Sequence, residues 1–349
     1  MVKKNMSGKK KALIVALLII LVVASSIIPK FYYKYFAANT KIEEKTYLYI
    51  PTNATYKQLQ DSIAKHNLLK RPAYFFDLAK DKELEKKFKS GKYAILPGMN
   101  NRTIVNMLIV GNQEPVNISF RNVRLKESLA GMVSKKLEFD SASLVNLMDS
   151  AAFVSEYGFT TDNIYTMFIP NSYQMFWNIS AKDFFLRMNK EFKTFWDSER
   201  LKKAEALNLT PQQVTILASI VDAEALADSE MPTIAGLYLN RLRKGIKLEA
   251  DPTVIFANND FTIRRVLNKH LSKESPYNTY RIKGLPPGPI MMPSIAAIDA
   301  TLNPVSHQYI YMCAKEDFSG YHNFASTLAE HLVNARKFQQ ALNERNIKK

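Results

Sequence analysis

The run Val214-Thr-Ile-Leu-Ala-Ser-Ile-Val-Asp-Ala-Glu-Ala225 ends an apolar segment with two carboxylates, Asp222 and Glu224. Val214, Leu217 and Val221 recur at intervals of three and four. Glu224 stands three after Val221, so at 3.6 residues per turn it falls on the same stripe. Asp222, two residues away, lies about 200° around the helix, and the two acids cannot face each other across one bond. A carboxyl on an apolar stripe loses hydration, holds its proton more tightly and becomes a proton donor near neutral pH. Glu224 can equally end the helix in solvent or pair with Arg241 or Arg243 of the next helix; spacing alone leaves both readings open.

The element that must carry Glu224 has a clear start. Thr210 can cap, Pro211 suits the first helical position, and Gln213 completes a capping box. A second apolar pattern, Ile234, Leu237 and Leu239, leads into Asn240 and Arg241, which could orient Glu224 or cap carbonyls. Upstream, Phe184, Phe185, Met188, Phe192, Phe195 and Trp196 predict one long core helix from Ala181 to about Leu207. Cys313 is the single cysteine and the five histidines are scattered, so a disulfide scaffold and a Cys-based zinc site are excluded. His322 and His331 make a weak ligand pair, and neither a metal nor an organic cofactor is expected.

Towards the amino terminus the chain reads as short strands and helices. Thr46–Ile50, 55–65 and 72–80 give strand, helix, helix, and Tyr93–Leu96 a further strand. The same order recurs about seventy residues on, at Val116–Phe120, 125–136 and 141–148, a weak internal repeat suggesting two small α+β modules. Before them, Ala12 to Ile28 is an apolar run preceded by Lys3, Lys4, Lys9, Lys10 and Lys11. It spans roughly 26 Å as a helix, enough for a membrane anchor, with Pro29 as its stop and the aromatic residues of 31–36 as an interfacial belt. The lysines predict that residues 1–11 stay in the cytoplasm and that everything after about residue 37 is exported. A cleaved signal peptide is the alternative, but Ala24-Ser25-Ser26 is a poor cleavage site. The 349 residues carry 48 Lys and Arg against 32 Asp and Glu, a net charge of +16. That charge suits a polyanion, whether nucleic acid, anionic lipid or wall polymer; export argues against nucleic acid as a partner.

Leu217–Glu224, Leu239–Leu242, Leu248–Val254, Pro276–Tyr280 and Gly284–Ile290 form five ordered blocks within about seventy-five residues. Together they resemble the endolytic murein transglycosylase (YceG-like) family. The likeness extends to Gly320–Phe324 and His331, and more loosely to Ser90–Tyr93 and Phe168–Asn171. The resemblance implies an α+β protein: one inner-membrane helix (12–29), LysM-like α+β modules (46–150), and a mixed α/β catalytic domain (153–345) in the periplasm. It implies a lytic transglycosylase that cuts the β-1,4 bond between N-acetylmuramic acid and N-acetylglucosamine in peptidoglycan, leaves 1,6-anhydro ends and serves as a terminator of glycan polymerisation. Glycan strands and the inner membrane are the implied partners, with peptidoglycan synthases as candidates.

The family's catalytic glutamate matches Glu224. Asp222 and Ala223 stand where the family usually has Glu and Lys, which implies that the first acid need not reach the reacting bond. Met291-Met292 also departs from the residues common after Pro-Ile. One acid suffices if it protonates the leaving oxygen and then takes the proton of the C6 hydroxyl as the anhydro ring closes, the substrate's acetamido group standing in for a nucleophile. Asn240, Asp251, Thr253, Tyr277, Asn278, Tyr280 and Pro287 are the expected substrate-binding residues. Each has a plainer alternative: Asp251-Pro252 is also a common helix start, Tyr277–Tyr280 also fits an Asx turn, and Gly284–Pro289 reads as a rigid wall. A catalytically silent wall-binding scaffold, or a hydrolase using Glu224 with Asp251, are the competing functions.

Overall fold

The computed structural model describes residues 8–345; Lys3 and Lys4 of the expected cytoplasmic tail lie outside them. The fold is mixed α+β, with three two-stranded sheets among the described residues. Two compact units form, one from the chain up to Val116 together with Gln174–Asn178, the other from Asn117–Tyr173 together with Ile179 onward.

The first unit opens with α1 (Gly8–Tyr35), whose most apolar window has a mean hydropathy of 2.9 and no buried residues, long and apolar enough to cross a membrane. Where a stop was expected at Pro29, the helix continues to Tyr35. Its last turn is held from outside: Asn101 Nδ2 donates to the carbonyls of Tyr33 and Lys34, and Lys34 bridges Asp77 and Asp81, both at 2.7 Å. Asn101 thereby takes up carbonyls that a helix end leaves orphaned. Then follow β1 (Thr46–Ile50), α2 (Tyr56–Lys65), α3 (Pro72–Asp81), α4 (Leu84–Lys87), β2 (Gly91–Ile95) and α5 (Asn101–Val110). β1 and β2 pair antiparallel from Thr46↔Ile95 to Ile50↔Gly91. Leu48 and Ile50 are buried while Tyr49 between them is exposed, the period-two pattern of a half-buried strand. Their inner face meets Leu59, Phe75, Tyr93 and Leu108 in one core.

The second unit contains most of β3 (Val116–Phe120) and of β4 (Asn171–Met175), with α6 (Lys126–Ser134), α7 (Ser141–Asp149), α8 (Ala151–Ser155), α9 (Ala181–Phe195), α10 (Ser198–Ala206) and α11 (Pro211–Glu224). After these come α12 (Met231–Arg243), α13 (Asp251–Asn258), α14 (Asn268–Leu271), α15 (Ile295–Leu302), β5 (Tyr311–Ala314), β6 (His322–Ala325) and α16 (Leu328–Glu344). Residues 117–150 therefore pack here, not beside β1 and β2. β3 finds its partner in β4, and α7 packs on α9, with Phe139 against Phe184 at 5.7 Å. The expected single helix from Ala181 to Leu207 is two: the Asp197 side chain accepts from Arg200 N and starts α10 afresh, with Trp196 buried at the break. A carboxylate N-cap at that position ends one helix and nucleates the next.

α11 begins with the full Thr210–Gln213 capping box. From Val214 to Val221 every residue is buried, because α12, α13 and α15 all pack on it. A helix enclosed on all sides needs no polar face. Ser219, in mid-helix, turns its hydroxyl to Ile216 O and accepts from Ile290 N at 3.1 Å, tying the Gly284–Ile290 loop to α11. Within that loop a Cβ at Gly288 would sit 2.1 Å from Asp162 O, so only glycine fits.

Candidate active site

Glu224 is the last residue of α11 and opens into a cavity of about 320 Å³ shared by α12, Asp251, Tyr280 and β5. Tyr238 of α12, only 1% exposed, donates its hydroxyl to Glu224 Oε1 at 3.1 Å. Neither Arg241 nor Arg243 pairs with it. Arg241 donates to Lys247 O, Ile310 O and the Glu249 carboxylate, and Arg243 to Leu239 O and Asn240 Oδ1. Burial pushes the Glu224 carboxyl up to about 7, aided by the nearby charge of Asp251; the Tyr238 hydroxyl and the Asp251 amide pull the other way. A carboxyl so poised carries a proton at neutral pH and can give it up.

Asp222 faces elsewhere. Its Oδ2 accepts from Ser294 N at 2.7 Å and its Oδ1 from Ser294 Oγ, at the start of α15. The 200° separation thus becomes a division of labour: one acid anchors a helix and the other meets the cleft.

Of the remaining expected site residues, Asp251 and Tyr280 join Glu224 in the cleft, and the Tyr280 hydroxyl donates to Asp251 Oδ1 at 2.7 Å. Burial and the Asp251 carboxylate raise the Tyr280 phenol well above its ordinary range, so it stays a donor. The other five lie outside this cavity. Asn240 donates to His307 O and Tyr309 O at 2.9 and 3.0 Å, fixing the segment that enters β5. Thr253 is fully buried, 2.7 Å from Thr279 Oγ1. Asn278, also buried, holds the carbonyls of Leu271 and Lys273. Tyr277 packs on Phe256 with ring centroids 4.7 Å apart, and Pro287 lines a separate cavity near the start of α11. The polar groups of Thr253 and Asn278 thus go to the 250–290 loops themselves, the segment that also carries Asp251 and Tyr280.

Tyr238 carried no mark in the sequence, and Glu249, His322 and His331 were marked only within family blocks or as a weak ligand pair. Tyr238 sits three before Arg241, on the same helical face, and that register was the available signal. Glu249 adopts a left-handed backbone at φ 51°, held by Arg241 and by its amide to Thr279 O at 3.3 Å; strain of this kind collects at functional sites. His322, which also lines the cleft, places Nδ1 2.7 Å from the buried Glu230, and its backbone amide donates to the same carboxylate. His331 stacks on Tyr311, and burial with the Arg241 charge holds it below the ordinary histidine range. Among the described residues, no group of three or more His, Cys, Asp or Glu side chains could hold a metal ion.

A mixed α+β protein with a long apolar helix and one glutamate of raised pKa in a polar cleft has the parts of an acid–base site. The YceG-like family profile matches residues 48–337, and the chain belongs to that family. It is 24% identical over 312 residues to the Bacillus subtilis protein named endolytic murein transglycosylase, covering 85% of each chain. A Streptococcus pneumoniae protein of the same name is 27% identical over 131 residues, 36% of this chain and 23% of that protein. A crystal structure of a yceG-like protein from Listeria monocytogenes shares the fold, at 24% identity and a TM-score of 0.56, covering 84% of this chain and 99% of that one.

Proposed function

We propose that this chain is an endolytic murein transglycosylase, a carbon–oxygen lyase, anchored by α1 with its amino terminus in the cytoplasm and its catalytic part in the periplasm. The observation that carries the reading is Glu224: one carboxyl, raised to about 7, in the cleft of a chain whose family includes relatives of that name.

The chemistry needs only this acid. Glu224 gives its proton to the glycosidic oxygen as the bond from C1 of N-acetylmuramic acid breaks, and the acetamido oxygen of the same sugar supports the charge at C1. The C6 hydroxyl oxygen then bonds to C1 and its proton passes to Glu224, restoring the acid. The products are a 1,6-anhydro end and a free N-acetylglucosamine hydroxyl, with no water consumed. Asp251, engaged by Tyr280, acts as a fixed negative charge that favours the protonated form of Glu224. The antiparallel β1 and β2 enclosing α2 and α3 support a LysM-like reading of the first module, and a groove of about 550 Å³ lined by Asn53, Phe88, Ser90 and Gln113 supports wall binding there. Cutting nascent strands beside a synthase would make the protein a terminator of glycan polymerisation.

Asp251 in the same cleft is the observation that favours a hydrolase as the second reading. Mass analysis of digested glycan strands separates the two. Anhydro ends with no added mass are expected; products one water heavier would establish hydrolysis, and intact strands a silent scaffold.

A further inference from the structure

Five consecutive residues, Ile310 to Ala314, line the Glu224 cleft. A strand that showed the cavity its face would contribute only every second residue, because side chains alternate; an unbroken run means that the cavity lies along the strand's edge. Among the described residues β5 pairs with β6 alone, so one edge is free of strand pairing. The register identifies the groups on it. Ala314 lies opposite His322, and Lys315 N donates to Tyr321 O at 2.9 Å, so 315 turns its backbone towards β6. Hydrogen-bonding direction alternates along an antiparallel strand; 313 and 311 therefore face β6 as well, while 312 and 314 face outward. Ile310, just before β5, stands off this alternation: its N–H donates to Ala325 O of β6 at 3.0 Å, while its carbonyl accepts from Arg241 of α12 at 2.7 Å. The Met312 and Ala314 backbones thus point into the cleft that holds Glu224.

We propose that this edge binds the peptide stem of murein in extended form, so that the enzyme recognises the peptide together with the sugar bond it cuts. The proposal rests on the transglycosylase reading and deepens it. In murein the stem hangs from the lactyl group of the muramic acid whose glycosidic bond is broken, so a strand seated at Glu224 carries a stem close by. A row of backbone donors and acceptors matches a peptide backbone, as in other cases of strand addition to a sheet edge.

The test compares two substrates with the full chain in detergent: glycan strands bearing their stems, and the same strands stripped by an amidase. Two lost backbone hydrogen bonds predict that kcat/KM falls about tenfold on stripped strands, mostly through KM. Met312→Pro removes an outward N–H that β6 does not use, a position where an edge strand tolerates proline. It should collapse the ratio between the two substrates towards one. A ratio near one in the unmodified protein, which would assign the edge to sugar alone, overturns the proposal, and so does a ratio that Met312→Pro leaves intact. The first comparison needs no variant and stands even if the proline form misfolds. Cleavage of neither substrate would instead overturn the transglycosylase reading, and the proposal with it.

Discussion

Glu224 is where burial, charge and hydrogen bonding meet, and each can be altered separately. Glu224→Gln keeps shape and removes the transferable proton; activity should drop by about 10²–10⁴ to near background, read as anhydro product per hour. In the unaltered protein, activity should fall as pH rises through about 7, where the acid loses its proton. The same shift has a cost in stability with a definite sign. A carboxyl whose folded value lies above its ordinary 4.5 contributes stability below about 4.5 that is lost as pH rises through about 7. Glu224→Gln escapes that loss, so it should be more stable than the native chain at pH 8, by at most about 3 kcal/mol, and the gap should narrow at pH 4. Thermal melts at both values check it; a constant gap would refute the buried-acid account. Tyr238→Phe deletes the hydroxyl that favours the carboxylate, and should move the alkaline limb of the activity profile up by about one pH unit. A merely structural role would lower activity without moving the limb. Helical spacing put Glu224 on the buried stripe but left its role open, and the family resemblance chose between the two readings; Tyr238 was not legible, since which tyrosine crosses from the next helix depends on packing.

Helices supply the frame, and their starts were easier to read than their ends. Thr210, Pro211 and Gln213 fix the beginning of α11 through local bonds alone, and the structure has all of them. The aromatic periodicity through Trp196 hid the break between α9 and α10, because an apolar stripe does not report an N-cap such as Asp197. The binding loops were legible as loops but not in their inner workings. Thr253 and Asn278 look like sugar ligands by residue type, yet their polar atoms go to Thr279 and to the carbonyls of Leu271 and Lys273. Asp222 tests the frame directly. Asparagine can satisfy only one of the two Ser294 donors, so Asp222→Asn should destabilise by about 1–2 kcal/mol. Because that side chain serves α15 and not the cleft, kcat/KM at temperatures where the variant is folded should stay near the native value. If Asp222→Asn proved inactive while folded, the two acids would have to act together.

At the scale of the chain, composition and the lysine-led apolar run pointed to an anchored, mixed α+β protein, but the division into units was not legible. Residues 117–150 repeat the strand, helix, helix order of the first module, and order alone cannot say which strand pairs with which. The structure joins β3 to β4, about fifty residues away, and returns Gln174–Asn178 to the first unit. The two tryptophans fall on either side of that division. Trp177 packs edge-on against Tyr49 at 5.0 Å in the first unit, and Trp196 is buried at the end of α9 in the second. Each unit has its own apolar core, the condition for unfolding as a separate cooperative block. With Trp196→Phe, the remaining fluorescence should follow the first unit in urea, and with Trp177→Phe the second. The midpoints should differ, because the two units bury different amounts of surface and so differ both in stability and in urea slope, the second unit having the steeper transition. Each variant must first match the native circular dichroism, since Trp196 fills a core position and its loss lowers stability by itself. Coincident midpoints, after subtracting that loss, would mean that the chain after α1 folds as one block, and that the residues of the Glu224 cleft depend on the first unit for their stability.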